Sequence, residues 1–174
     1  MSNLSDAVLS VIHGRKSVRS FKDGGKAIPQ EMLDAIVKAA FAAPSAMNLQ
    51  PWHFIVIDNR SVLNALGDGL PYAKMLYNAS AAIIVCADTK ISELSWELDC
   101  SAASQNILLS VEAYGLGAVW TALYPQKELT LFVKKLFHLP ENIIPLNVIP
   151  IGYPNGEEAP KDKYTPQKVH VNEW

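Results

Sequence analysis

The sequence predicts helices packed on a single β-sheet, a mixed α/β layer structure in one domain that spans residues 1–174. Helical and strand-like segments alternate along the chain, no internal repeat is visible, and no change in composition marks a second domain. A chain of 174 residues can form one compact domain that buries roughly 70% of the surface of its unfolded state. One hydrophobic core is therefore expected.

Five segments have the apolar periodicity of amphipathic or buried helices. The first has Asn3 or Ser5 available as an N-cap and Gly14 after its last turn. The second opens at Ile28-Pro29, where proline costs little because the first helical N–H has no partner, and a Gly24-Gly25 turn precedes it. The longest is apolar on more than one side, which indicates burial between layers or against another subunit. The helices are predicted over residues 4–13, 28–41, 61–69, 96–114 and 127–137.

Four apolar runs are predicted to form the strands of the sheet. The first is apolar enough to be interior, and the third follows Gly115-Leu116-Gly117, whose glycines accept the left-handed conformation that ends a helix. The strands are predicted over residues 53–57, 81–87, 118–123 and 146–151. Residues 153–174 are rich in Pro, Lys, Glu and Asn, so we expect an extended C-terminal tail that lies over a surface.

Composition excludes several classes of partner. The net charge of −2 is too small for the whole chain to attract nucleic acid, and no run approaches the roughly 18 apolar residues that a membrane span needs. The N-terminus lacks the features of a secretion signal, so a cytoplasmic protein is expected. Cys86 and Cys100 lie in apolar segments without metal-ligand spacing, which argues against a zinc site and against a disulfide framework.

Two short polar segments carry most of the functional information. Arg15-Lys16-Ser17-Val18-Arg19 offers three cations and a hydroxyl, a combination that suits a phosphate dianion. The loop from Pro44 to Trp52 concentrates hydroxyl, amide and indole groups between apolar runs. Together they indicate a flat, phosphorylated ligand with a polar edge.

The chain lacks the motifs of a self-contained side-chain catalyst. It has no Gly-x-Gly-x-x-Gly after a strand, no Walker loop and no Gly-x-Ser-x-Gly elbow, and its four histidines are scattered. No catalytic side chain is therefore predicted. An enzyme of this sequence is expected to rely on a bound cofactor for the chemistry.

Five motifs resemble the FMN-dependent nitroreductase family, in the family's order and across nearly the whole chain. They are the Arg-x-Ser-x-Arg segment, the Pro-Ser-x-x-Asn-x-Gln-Pro-Trp loop, Gln105-Asn106 in an Ala-rich helix, Gly115-Leu116-Gly117 before Trp120-Thr121-Ala122, and the late Lys161-x-Lys163. The resemblance implies an α+β fold with a central mixed sheet flanked by helices. It also implies an entwined homodimer with two FMN sites at the subunit interface.

The resemblance assigns roles to individual positions. Arg15, Lys16 and Ser17 match residues that hold the flavin phosphate and ribityl chain, and Arg19 matches a cation near the pyrimidine edge, where it would stabilise the charge of the reduced flavin. The late pair, Lys161 and Lys163, matches cations that reach the phosphate. The loop residues Pro44, Ser45 and Asn48 match residues that cover the flavin from the partner subunit. Ala122 or Leu123 matches the position in a turn whose backbone N–H points at flavin N5.

The implied activity is a ping-pong reduction of nitroaromatics, quinones or similar small acceptors by NAD(P)H. Two alternatives stay open: a flavoenzyme of the same fold with another reaction, such as dehalogenation or flavin fragmentation, or a non-catalytic FMN-binding or storage protein. Simpler structural interpretations also apply to single residues. Trp52, Gln105 and Asn106 are predicted to be structural. The alternative for Ser45 and Asn48 is that they cap backbone groups, and the alternative for Lys161 and Lys163 is a charged surface.

Overall fold

The computed structural model describes residues 3–22, 26–156 and 158–174, and within them the chain forms five α-helices and five strands. The helices are α1 (Leu4–Gly14), α2 (Gln30–Phe41), α3 (Arg60–Gly69), α4 (Trp96–Ala113) and α5 (Lys127–Leu136). The strands are β1 (Trp52–Ile57), β2 (Ala81–Asp88), β3 (Gly117–Ala118), β4 (Thr121–Ala122) and β5 (Ile143–Gly152).

The predicted helices are confirmed with small shifts at their ends. Asn3 is the N-cap of α1, because its Oδ1 accepts the N–H of Ser5 at 3.4 Å. Pro29 occupies the N-cap position of α2 rather than its first turn. Gly115 has a φ of 68° just after α4, as its predicted role at the end of a helix requires. The predicted Gly24-Gly25 turn lies outside the described residues.

One sheet runs through the middle of the fold in the order β1-β2-β5-β3, with β4 also paired to β5. Each of these pairs is antiparallel, so the sheet is antiparallel across the described residues. The family resemblance had implied a mixed sheet. Strand direction is hard to read from this sequence because β2 is buried on both faces. Its continuous apolar run therefore resembles the strands of parallel sheets, although the pairing is different.

Alternate residues of β2 face two hydrophobic clusters on opposite sides of the sheet. Ile83 and Val85 pack in the cluster that includes α2 and α4 residues. Ile84 and Cys86 pack in the other, with residues of α3 and α5. The sheet is thus the middle layer of three, which explains why the predicted burial of α4 is correct on its sheet-facing side.

The third predicted strand, residues 118–123, is divided into two short strands. Val119 and Trp120 separate β3 from β4, and both short strands pair with β5. The two short strands pair with β5 in the same register and direction, so only the pairing at residues 119 and 120 is interrupted, and Leu123 stays buried in the core. This irregular segment forms one wall of the site described below.

Gly117 is required by packing in addition to its predicted role near the helix end. A Cβ at this position would lie 2.6 Å from Cγ1 of Val18, which is almost fully buried and anchors the Arg15–Arg19 segment. We expect Gly117→Ala to lower the free energy of unfolding by about 1–3 kcal/mol, since the contact requires Val18 to move. Urea unfolding of the purified protein measures this.

A matched control is Gly14→Ala, whose new Cβ would make an ordinary contact of 3.4 Å with Glu112. Alanine is preferred to glycine within a helix, so this variant should be neutral or slightly more stable. Equal losses of stability in the two variants would contradict the packing argument for Gly117.

Candidate functional site

A basic cavity of about 490 Å³ lies between the end of α1 and the C-terminal tail. It gathers five cations, one hydroxyl and one carboxylate in a single concave surface. The residues that line it are Arg15, Lys16, Ser17, Arg19, Glu158, Ala159, Lys161 and Lys163. The structure thus brings together all six residues that the sequence predicted to hold or border a phosphorylated cofactor from the early and late basic segments.

Backbone pairing explains how the two distant segments meet. Val18 is fixed by its N–H, which donates to the carbonyl of Ala118 at 2.9 Å. Further along, the N–H of Lys22 donates to the carbonyl of Tyr153, and the N–H of Asn155 donates to the carbonyl of Ser20, both at 2.9 Å. These bonds align the start of the tail with the segment that follows α1. The path of the chain therefore places Lys161 and Lys163 in the same cavity as Arg15 and Arg19.

The charges of the cavity are not equivalent. Lys16 Nζ lies 3.0 Å from Glu112 Oε1 on α4, so part of its charge is already compensated. Within the described residues, no ion pair involves Arg15, Arg19, Lys161 or Lys163, whose charges remain available to a ligand. Glu158 also lines the cavity, and its Oε2 is buried with no hydrogen-bond partner among the described atoms. Cations still predominate, which favours an anionic ligand.

A second cavity of about 340 Å³ adjoins the first through Arg19. Its walls come from the β3–β4 segment, the turn after α3 and the residue before α5. They are formed by Arg19, Tyr72, Val119, Trp120, Thr121, Ala122 and Gln126. Tyr72 and Gln126 also line a further cavity of about 500 Å³ at the start of α5. The first cavity, which is basic, and the second, which is polar and aromatic, share Arg19, which therefore lies at their junction.

The backbone of β4 distinguishes the two predicted N–H donors. Leu123 is fully buried and its N–H donates to the carbonyl of Leu146 at 2.9 Å. Ala122 pairs with Asn147 in the next register position and is exposed. Because N–H groups alternate in direction along an antiparallel strand, the N–H of Ala122 points away from β5. Of the two candidates, Ala122 has the N–H that a ligand in the second cavity can reach.

The loop at residues 44–50 does not line either cavity. Ser45 Oγ accepts the N–H of Gln50 at 3.0 Å, and Asn48 Oδ1 accepts from Gln50 Nε2 at 3.0 Å. Pro44 precedes these turns, and the neighbouring Met47 side chain is 89% exposed. Within one chain, Pro44, Ser45 and Asn48 are thus placed apart from the cations that the sequence assigned to the same cofactor.

Other residues take structural positions. Trp52 is buried in the core, and Asn106 Nδ2 donates to the carbonyl of Ala39 at 2.9 Å, as the structural interpretation predicted, whereas Gln105 is exposed. Burial raises the pKa of both cysteine thiols, Cys86 and Cys100, to about 12, so neither is a thiolate near neutral pH.

Sequence reasoning missed four residues that line the candidate cavities or pair with one of their cations: Tyr72, Gln126, Glu112 and Glu158. Tyr72 and Gln126 lie in turns whose composition resembles any surface turn, and only the folded chain places them beside Ala122. The acids belong to a helix and a tail in which carboxylates are common. Their proximity to the cations depends on tertiary contacts that have no local signal.

The fold and the joined cavities define an α+β protein with a basic site for an anionic ligand, built where the early and late segments meet. The chain belongs to the nitroreductase family, whose family model matches residues 12–84 and 68–153. Among the described residues, no helix is both long and apolar enough to cross a bilayer.

Three relatives illustrate the similarity. A Methanothermobacter thermautotrophicus protein, named as a predicted NADH dehydrogenase/NAD(P)H nitroreductase, is 42% identical over 169 residues, which cover 96% of this chain and 87% of the relative. A crystal structure of a Bacteroides thetaiotaomicron protein of the same name is 48% identical, has a TM-score of 0.93, and both chains are fully covered. An FMN-dependent nitroreductase from Clostridium difficile is 28% identical with a TM-score of 0.88, covering 95% of this chain and 99% of the other. These comparisons confirm the predicted family, the α+β fold class and an enzyme of the oxidoreductase class.

Proposed function

We propose that this protein is an FMN-dependent oxidoreductase that uses NAD(P)H to reduce nitroaromatics, quinones or similar small acceptors in a ping-pong cycle. The observation that carries the proposal is the junction of the two cavities at Arg19. The basic cavity shares Arg19 with a second cavity, whose lining includes the exposed residue Ala122 and the aromatic residues Tyr72 and Trp120. This arrangement fits a molecule that has a phosphate at one end and a planar ring system at the other.

The basic cavity fits the phosphate and ribityl chain of FMN. A phosphate dianion is costly to remove from water unless cations pair with it, and Arg15, Lys161 and Lys163 supply three such cations from two segments. The guanidinium of Arg15 can bind two phosphate oxygens at once. The Ser17 hydroxyl is available to the ribityl hydroxyls, while Lys16, held by Glu112, contributes a weaker field.

The second cavity fits the isoalloxazine ring. FMN supplies hydride acceptance at N5 and hydride or electron delivery to the acceptor. Arg19 places a permanent positive charge at the junction, where it would stabilise negative charge on the pyrimidine edge. The N–H of Ala122 would donate to N5, and Tyr72 and Gln126 would border the face on which NAD(P)H and the acceptor bind in turn.

We also propose that the protein acts as a homodimer, with Pro44, Ser45 and Asn48 completing the site of the partner subunit. Two observations support this. Helix α1 has no buried residue, and its apolar side chains include Leu4, which is 78% exposed. Within one chain the loop at residues 44–50 lies apart from the cavities, so it can contribute to a flavin site only across an interface.

Two free, buried cysteines fit a reducing compartment, and we propose the cytoplasm, where NAD(P)H is available.

An absorption spectrum tests the proposed function. Purified protein, or protein incubated with FMN and desalted, should be yellow, and NADH or NADPH added under nitrogen should bleach the flavin band. Addition of a nitroaromatic or a quinone should restore the band. Protein that takes up no FMN would refute the proposal, and protein that binds FMN without bleaching would be a flavin-binding protein instead.

Arg19→Ala should lower the two-electron potential of the bound flavin by about 30 mV, which corresponds to about 1.4 kcal/mol of lost charge stabilisation. The reason is that Arg19 lies at the junction of the cavities, next to the proposed pyrimidine edge. FMN affinity should change less than threefold, because the phosphate cations remain. Redox titration against a reference dye and FMN binding by fluorescence quenching measure the two quantities. A large loss of affinity with an unchanged potential would contradict this role.

A further inference from the structure

Asp99 is a buried acid that the proposed cofactor chemistry does not use directly. It lies in the first turn of α4, is 5% exposed, and its Oδ1 accepts the N–H of Ala46 at 2.9 Å. Its Oδ2 is buried and has no hydrogen-bond partner among the described atoms. A buried carboxylate is costly unless its interactions compensate for the lost hydration. Among the described hydrogen bonds, the N–H of Ala46 is the one donor to this carboxylate, so it offsets part of that cost.

The loop that Asp99 contacts has an unusual backbone. Met47, Asn48 and Gln50 have φ values of 51°, 56° and 52°, in the left-handed region that residues other than glycine seldom adopt. Such conformations persist only where surrounding interactions impose them, and they cluster at functional sites. Three of them lie within four residues here, whereas the other described non-glycine residues with positive φ, His138 and Asn172, are isolated.

Few interactions outside the loop can impose this conformation. The other hydrogen bonds described for residues 44–50 are made within the loop, among them Asn48 N–H to the Ser45 carbonyl and Gln50 N–H to Ser45 Oγ, both at 3.0 Å. The bond from Ala46 to Asp99 is thus the hydrogen bond that ties this loop to the helical layer. Ala46 lies between Ser45 and Asn48 in the sequence.

We propose that Asp99 is a positioning residue: through Ala46 it fixes the orientation of Ser45 and Asn48, and it thereby controls the affinity of the partner subunit's flavin site. The inference rests on the proposed function. It adds a coupling in which an acid of one subunit acts on the cofactor bound mainly by the other. Asp99 does not contact the cofactor in this scheme, and its hydrogen-bond acceptor matters more than its charge.

Three single variants separate positioning from general stability. Asp99→Ala removes the acceptor and should weaken FMN binding about tenfold, the effect of losing one hydrogen bond. Asp99→Asn keeps an Oδ1 that accepts the Ala46 N–H, so its affinity should stay within about twofold of the native protein. Ser104→Ala is the control: Ser104 is also buried on α4, but its hydroxyl accepts from Asn147 Nδ2 at 2.8 Å, on the sheet side.

Affinity is measured by fluorescence quenching of FMN, and the midpoint of thermal unfolding is measured on the same samples. We expect Asp99→Ala and Ser104→Ala to lose similar stability, with a loss of FMN affinity in Asp99→Ala alone. If Ser104→Ala weakens FMN binding as much as Asp99→Ala, or if Asp99→Asn is as defective as Asp99→Ala, the positioning role is refuted.

A mixed dimer tests the action across the interface. One subunit carries Arg15→Ala and the other carries Asp99→Ala, with different affinity tags so that the heterodimer can be isolated. If Asp99 acts on the partner's site, both defects fall in the same site and the second site is intact, so one FMN per dimer binds with native affinity. If Asp99 acts within its own subunit, each site has one defect and no native-affinity site remains, which would overturn the proposal.

The native protein supplies the reference that distinguishes the two levels of failure. Native dimers should bind two FMN molecules, and a native protein without flavin binding would refute the proposed function itself. If the native protein binds FMN and the Asp99→Ala variant binds it with the same affinity, only the inference about Asp99 is refuted.

Discussion

Replacing Arg15 with alanine is expected to weaken FMN binding about 50-fold. Arg15 lines the basic cavity, belongs to no ion pair of the described residues, and has a planar guanidinium that can donate two hydrogen bonds to a phosphate. Loss of such a contact leaves a dianion in a partly enclosed site with fewer donors, at a cost of about 2–3 kcal/mol. Equilibrium titration of the flavin-free protein with FMN measures the change.

The conservative variant and a surface control sharpen this test. Arg15→Lys keeps the charge and loses the forked geometry, so its affinity should fall between those of the native protein and the alanine variant. Lys38→Ala removes an exposed cation from α2, outside the cavity, and should leave FMN affinity unchanged. Added salt should weaken the binding of the native protein more than that of Arg15→Ala. Equal affinity in Arg15→Ala and Lys38→Ala would exclude Arg15 from the phosphate site.

Local sequence patterns predicted the helices well because each has its own periodicity and end signals. Asn3 and Gly115 perform the roles that their positions indicated. The direction of the strands was not predictable in the same way, since β2 is buried on both faces and an apolar run has no direction. The division of the third strand also lacked a signal, because Val119 and Trp120 are ordinary strand residues.

The same distinction applies to the candidate site: residues in recognisable motifs were predicted, and residues placed there only by tertiary contacts were not. The cations of the basic cavity were predicted because motif order linked two distant segments, and the structure brings their side chains into one surface. Asp99 and Glu112 were not predicted as site residues. Asp99 accepts the N–H of Ala46 in the loop at residues 44–50, and Glu112 forms an ion pair with Lys16. Each is one acid among several on α4, and only the folded chain shows which partner it faces. The choice between Ala122 and Leu123 likewise required the pairing register of β4.

The N–H of Ala122 leads to the second large effect. Ala122→Pro should slow reduction of the bound flavin by NADH about 100-fold, the typical effect of removing one well-placed N–H donor from a reacting centre. Proline removes this N–H, yet the pairing of β4 with β5 should survive, because the ladder uses the N–H of Leu123 and the Ala122 N–H points away from β5. Anaerobic stopped-flow absorbance gives the reduction rate.

Ala122→Gly is the matched control for this substitution. It removes the side chain and keeps the N–H, so its reduction rate should stay within about threefold of the native rate if the N–H is the group that matters. Circular dichroism and FMN titration on both variants establish that the fold and the cofactor site are retained. A proline variant that binds FMN normally and is reduced as fast as Ala122→Gly would show that the N–H of Ala122 does not contact N5.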